Sequence, residues 1–227
     1  MNTTPTTAVR PADTDAAPIP LPADLHQAHP AAHAISEWLH PKTWIVLVSL
    51  LTGRHAQHYA GLGWSLITIL FAAVIPMIFI DSGIRRGRWD DRNVGARNAR
   101  LLVMAVIITS VLIGIVVTPL FDGPTSLIAL TVTMMATLAF LALITISWKI
   151  SVHQAVSAGA VDIAAVIYGP WMLLGFIPVV VVGWSRIALG DHTPAQVAAG
   201  TIAGAVVAQC VCRRPVEQSG CSTPEET

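Results

Sequence analysis

Residues Tyr59 to Ile80 run for 22 positions without a charged side chain, and two comparable runs follow, Leu101 to Phe121 and Gly123 to Trp148. About 20 apolar residues are what an α-helix needs to cross the hydrocarbon core of a bilayer. In lipid, every backbone N–H and C=O must find its partner inside the protein, so runs of this length fold as helices. The rest of the chain agrees: 54% hydrophobic residues, 11% charged residues and a mean hydropathy of +0.65 exclude an ordinary soluble domain. The expected fold is all-α, a polytopic membrane helix bundle with six or seven transmembrane helices.

The flanks read differently. Six prolines precede Ala31, and no apolar run there is long enough for a signal-peptide core. Residues 1–35 are therefore expected to form a disordered tail, 36–212 the transmembrane domain and 213–227 a polar tail. Pro41 to Gly53 is apolar but short, and Arg54, His55 and His58 follow at once, so this piece fits a span or an interfacial segment equally. Pro76 and Pro178 are expected to kink their helices. Asp122-Gly123-Pro124 and Gly169-Pro170 read as turns. His153 to Tyr168 is short and rich in Ala and Gly, with Asp162 expected to make an interhelical hydrogen bond. Thr193 to Cys212 carries the small residues that suit close helix contact in lipid.

Charge is concentrated. Asp81 to Arg100 holds six arginines and three aspartates and must lie at or beyond the membrane surface. The formal net charge is zero, so no nucleic-acid partner is expected. Cys210, Cys212 and Cys221 make neither a disulfide framework nor a zinc pattern. His26, His29, His33, His40, His55 and His58 have no metal-ligand spacing, and neither a metal nor another cofactor is expected.

The stretch with chemistry in it is Ser185 to Gly200, SRIALGDHTPAQVAAG, between two apolar runs. Arg186 offers a planar fork of donors that suits phosphoryl oxygens, and His192 is an imidazole able to serve as nucleophile, base or acid. Thr193 and Pro194 read as N-cap and first turn of a helix whose positive end would face whatever Arg186 binds.

Ser185-Arg186, five residues and then His192 resembles the third signature of the type 2 phosphatidic acid phosphatase superfamily, which also contains the vanadium haloperoxidases. That signature is Ser-Arg, five residues, His, three residues, Asp, and here Gln196 stands at the Asp position. The family's second signature, Pro-Ser-Gly-His, is similar to Ile150-Ser151-Val152-His153. Its first, Lys, six residues, Arg-Pro, is matched in spacing by Arg85 and Arg92, with Asn93 in place of Pro. Two spans separate the Arg-rich loop from His153, and two more separate His153 from His192. Even numbers of crossings put all three clusters on one face.

The resemblance implies roles residue by residue. Arg85, Arg92 and Arg186 would clamp a phosphate, with Ser151 adding a hydroxyl donor. His192 would attack phosphorus to give a phosphohistidine, and His153 would protonate the leaving oxygen. Gln196 can offer a carbonyl to the His192 ring but no charge, so Asp91 or Asp191 are the other carboxylates within reach of the sequence. The implied activity is hydrolysis of a phosphomonoester or diphosphate of a lipid, prenyl or glycerolipid, without metal. The alternative is a catalytically degenerate member that binds or moves a phosphorylated lipid. Arginines and Lys149 crowd the face with the clusters, and the positive-inside rule then expects a multi-pass protein of the cell membrane with its site at the cytoplasmic face.

Overall fold

The computed structural model describes residues 29–87 and 97–219, and all regular structure among them is helical. The elements are α1 (Pro30–Trp38), α2 (Pro41–Ile69), a π turn (Leu70–Val74), α3 (Ile75–Arg85), α4 (Arg97–Leu120), α5 (Thr125–Ser147), α6 (Val152–Tyr168), a 3-10 segment (Pro170–Gly175), α7 (Phe176–Ala188) and α8 (Pro194–Ser219). Among these, five stretches are long and apolar enough to cross a membrane: Pro30–Arg85, Leu101–Leu120, Thr125–Ser147, Pro170–Ala188 and Pro194–Val211. Val152–Tyr168 is a shorter apolar helix. The chain is thus an all-helical protein compatible with multi-pass insertion.

The first of these stretches is not one rod. Gln57 (φ −142°, ψ 30°) and His58 (φ 49°, ψ −119°) leave helical geometry in the middle of α2. Ser65 Oγ donates to the carbonyl of Ser49 at 2.8 Å, and the backbones of Gly53 and Gly61 touch. Each contact joins residues about equally far on either side of Gln57, so α2 doubles back as an antiparallel helical pair. Only glycine permits this approach, because a Cβ at either position would overlap the facing backbone. The segment from Pro41, left open between span and interface by its length, is one arm of this pair. Its Trp44 and Val48 belong to the main core with Leu127, Leu130, Val161 and Val179.

The prolines act locally. Pro76 has no N–H to donate and its ring crowds the carbonyl of Ala72, and the helix answers with the π turn Leu70–Val74 just before it. Pro178 sits in the first turn of α7, where the missing N–H costs little, so the expected kink is replaced by the 3-10 segment that precedes the helix. At the two expected turns, Asp122 and Gly169 adopt positive φ.

One boundary differs from the sequence reading. Residues 30–35, expected in the tail, form the first turns of α1, which starts on Pro30 at a position that suits proline and packs against α7. Its Ala32 is fully buried, which is what a tail would not supply. At the other end, α8 runs on to Ser219 through the expected polar tail.

The helix pair with the most extensive contact is α6 with α8. Glycines make it close: a Cβ on Gly200 would lie 2.6 Å from the carbonyl oxygen of Ser151, and one on Gly159 3.3 Å from that of Gly204. The Ser151 N–H also reaches the carbonyl of Gln196 at 3.4 Å. The starts of α6 and α8 are therefore tied side by side. Asp162 is buried at mid-length of α6.

Candidate functional site

A cavity of about 220 Å³ opens where α2, α6 and the loop between α7 and α8 begin or end. Its mouth is lined by His40, Lys42, Lys149, His153, Arg186, Asp191 and His192. Below them the wall is apolar, with Val48 from α2, Ile107 from α4, Leu138 from α5 and Ala160 from α6. Three methionines, Met77, Met104 and Met134, also face it. Methionine has three rotatable bonds and adapts to irregular partners, so this wall can fit more than one apolar shape.

Arg186 anchors the mouth. It stands in the last turn of α7 and is 2% exposed, a depth at which a guanidinium must be paired. Its Nη2 lies 2.7 Å from Asp191 Oδ2, and its Nη1 donates to Ser36 Oγ at 2.6 Å. The carbonyl of Arg186 accepts from the N–H groups of Asp191 (3.1 Å) and His192 (3.2 Å). Lys149 Nζ donates to the carbonyl of Asp191 at 2.6 Å. The loop that carries His192 is thereby stitched to α7 and to the segment between α5 and α6.

Gln196 has two duties. Its Oε1 accepts from the Thr193 N–H at 3.1 Å, while Thr193 Oγ1 accepts from the Gln196 N–H at 3.4 Å. This reciprocal pair is the capping box that a Thr-x-x-Gln start favours. The same Oε1 lies 3.3 Å from His192 Nδ1. Since Thr193 identifies that atom as the amide oxygen, which can only accept, the contact places the ring proton on Nδ1 and leaves a lone pair on Nε2.

His153 is the second residue of α6, and Ser151 caps that helix by accepting from the Gln154 N–H at 3.4 Å. Nε2 of His153 is buried and has no hydrogen-bond partner among the described residues. The ring of His40 meets that of His153 edge to face, with centroids 4.9 Å apart and planes at 78°.

The structure brings Arg186, His192, Gln196 and His153 together, as the sequence expects. It does not bring all. Ser151 is fully buried behind the wall, with its oxygen engaged as a cap, and does not line the cavity. Arg85 is exposed in the last turn of α3 and is not part of the lining. Arg92 lies outside the described residues. Asp191, one of the two alternative carboxylates, is present but is bound to Arg186, and Asp91 is outside the described residues.

Sequence reasoning missed Ser36, His40 and Lys42. One signal was available: if the run from Pro41 and the run from Tyr59 are both crossings, His40 is an even number of crossings from His153. Comparison of the chain with protein-family models, with curated proteins and with solved structures finds no match.

Proposed function

We propose that this protein is a membrane phosphatase that hydrolyses a phosphomonoester or diphosphate of a lipid through a phosphohistidine on His192. The observation that carries the reading is the cavity itself, a mouth of histidines and cations over an apolar shaft. An amphiphile with an anionic head and a hydrocarbon tail matches both halves, and each CH2 buried contributes about 0.8 kcal/mol. The reading also rests on the resemblance of its motifs to the type 2 phosphatidic acid phosphatase superfamily.

In this mechanism Arg186 and the neighbouring cations hold the phosphoryl oxygens, where fixed donors stabilise spreading negative charge. His192 Nε2 attacks phosphorus in line with the leaving oxygen, and the P–N bond forms as the P–O bond breaks. His153, in its protonated form, delivers its proton to the departing lipid oxygen. Water then attacks phosphorus, His153 takes its proton, and orthophosphate leaves with His192 restored. Gln196 keeps the His192 proton on Nδ1 throughout, as a neutral substitute for a carboxylate.

The reading includes a topology. Counting both arms of α2, Val152–Tyr168 and the remaining apolar helices as crossings gives seven spans, with the mouth at the cytoplasmic face of the cell membrane. Lys42, Arg85, Arg86, Lys149 and Arg186 lie toward the mouth, whereas the opposite turns at Asp122 and Gly169 have no Lys or Arg and the turn at His58 has Arg54 alone. Binding without cleavage is the second reading, and the uncharged Gln196 behind His192 favours it. The deciding experiment measures phosphate release by purified protein from phosphatidate, a prenyl phosphate and a prenyl diphosphate. Release from at least one supports hydrolysis; tight binding of all three with no release supports the second reading.

A further inference from the structure

Two of the three cations at the mouth are already engaged by the protein. Arg186 grips Asp191 and Ser36, and Lys149 grips the backbone of Asp191. Arg85, at the end of α3, is exposed and outside the lining, so it does not supply the deficit. Lys42 does line the cavity, and its ammonium has no hydrogen-bond or ion-pair partner among the described residues. It stands in the first turn of α2, and Ile45 and Val48 continue the wall below it at helical spacing. A lysine at the head of an apolar stripe can lay its stem on that stripe and hold its charge at the rim.

His40 precedes it. Its Nδ1 accepts from the Lys42 N–H at 3.4 Å as the N-cap of α2, which fixes the ring. That fixed ring is what His153 rests against. With no partner on its Nε2 among the described residues, His153 depends on packing for its orientation, and a general acid that swings away from the leaving oxygen is idle.

We propose that the segment from Ser36 to Lys42 is a working part of the anion site, with Lys42 binding the phosphoryl group and His40 acting as the positioning residue for His153. The inference rests on the phosphatase reading for its kinetics but not for its binding. It also explains why α1 is held on α7, since Ser36 secures the segment by accepting from Arg186.

The test uses full-length protein in detergent, with orthophosphate and a prenyl monophosphate as probes and thermal melting as the fold control. Lys42→Ala and Lys42→Gln, the second keeping most of the stem, are expected to weaken orthophosphate binding about tenfold, as loss of a charge-assisted contact does. Both should raise KM and spare kcat. His40→Asn keeps a capping oxygen but removes the ring, and should lower kcat about tenfold at unchanged phosphate affinity. His40→Phe restores a ring edge and should recover most of that loss. Carbethoxylation of His153, read by mass spectrometry, should be faster in His40→Asn than in His40→Phe and reports positioning without any turnover. Unchanged orthophosphate affinity in a folded Lys42 variant overturns the role of Lys42. Equal kcat and equal carbethoxylation in the two His40 variants overturn that of His40. Wild-type protein that binds no orthophosphate removes the anion site and this inference with it. Binding without release from any lipid removes hydrolysis alone, and equal affinity for the two probes makes free phosphate, not a lipid, the ligand of Lys42.

Discussion

The amide oxygen of Gln196 serves two N–H groups at once, that of Thr193 at 3.1 Å and Nδ1 of His192 at 3.3 Å. A residue that caps α8 thereby also orients the imidazole just before it. This double use sets what substitution there should do. Gln196→Glu keeps the reach and adds a charge behind the ring, and should raise the rate of phosphate release. Gln196→Asp is one methylene shorter and should gain less, although it restores the residue type of the motif. Gln196→Ala loses both bonds and should lower the melting temperature, at about 1 kcal/mol for the cap, together with the rate. Steady-state phosphate release and detergent melting curves check the order Glu, Asp, Gln, Ala.

His192→Ala should abolish phosphate release, by about 10⁴-fold or more as for loss of other catalytic nucleophiles. Because His192 is half-buried in a loop at the mouth and not in a packed core, the variant should melt within a few degrees of the parent. A folded His192→Ala protein with full activity would end the phosphohistidine proposal.

His153→Ala should discriminate between leaving groups. Protonation matters most where the departing oxygen is basic, so hydrolysis of a lipid phosphate should fall about 10²-fold or more while that of nitrophenyl phosphate falls much less. Equal losses for the two substrates would assign His153 to binding and not to proton transfer.

Ala160 lines the apolar shaft below the mouth and is 7% exposed. Ala160→Phe should fill part of the cavity, raising KM for long-tailed phosphates by about tenfold, equivalent to about two buried methylenes. Turnover of nitrophenyl phosphate, which has no tail, should stay within about twofold of the parent. Equal losses on both substrates would mean that tails do not enter the shaft.

The side of the membrane can be read from the turn opposite the mouth. Gly123 is a poor probe site, since a Cβ there would press on the Thr118 carbonyl at 2.7 Å, but Thr125 is exposed at the start of α5. In a background without Cys210, Cys212 and Cys221, Thr125→Cys should react with an impermeant thiol reagent in intact cells if the mouth is cytoplasmic. Protection in intact cells and labelling after lysis would reverse the orientation.

Much of the architecture was legible because uncharged runs, turn residues and crossing parity are properties of the sequence alone. The α4–α5 hairpin, the turn at Asp122 and the convergence of His153 with Arg186 and His192 follow from them. What was not legible is the reversal inside α2. It happens at His58, a residue with a side chain at positive φ, and no Gly-Pro or Asn-Gly pair marks it. Without that reversal, His40 and Lys42 read as the edge of a short segment that fits a span or the interface. The roles of Ser151 and Arg85 failed to appear for another reason. Motif spacing along the chain cannot say whether a hydroxyl is spent on a helix cap, or whether an arginine at a helix end faces a cavity or solvent.

The seam of glycines between α6 and α8 holds no reactive group, yet it carries His153 on one side and the Thr193–Gln196 support of His192 on the other. Two groups mounted on one rigid joint keep their spacing when the rest of the bundle deforms. The shaft shares α6 with this joint, through Ala155, Val156, Gly159 and Ala160, but its other walls come from α2, α3, α4 and α5 and carry Met77, Met104 and Met134, which can repack. Tolerance toward the girth of a tail and strictness toward the geometry of a headgroup are therefore separable properties of this fold, and drift in one can proceed without loss of the other.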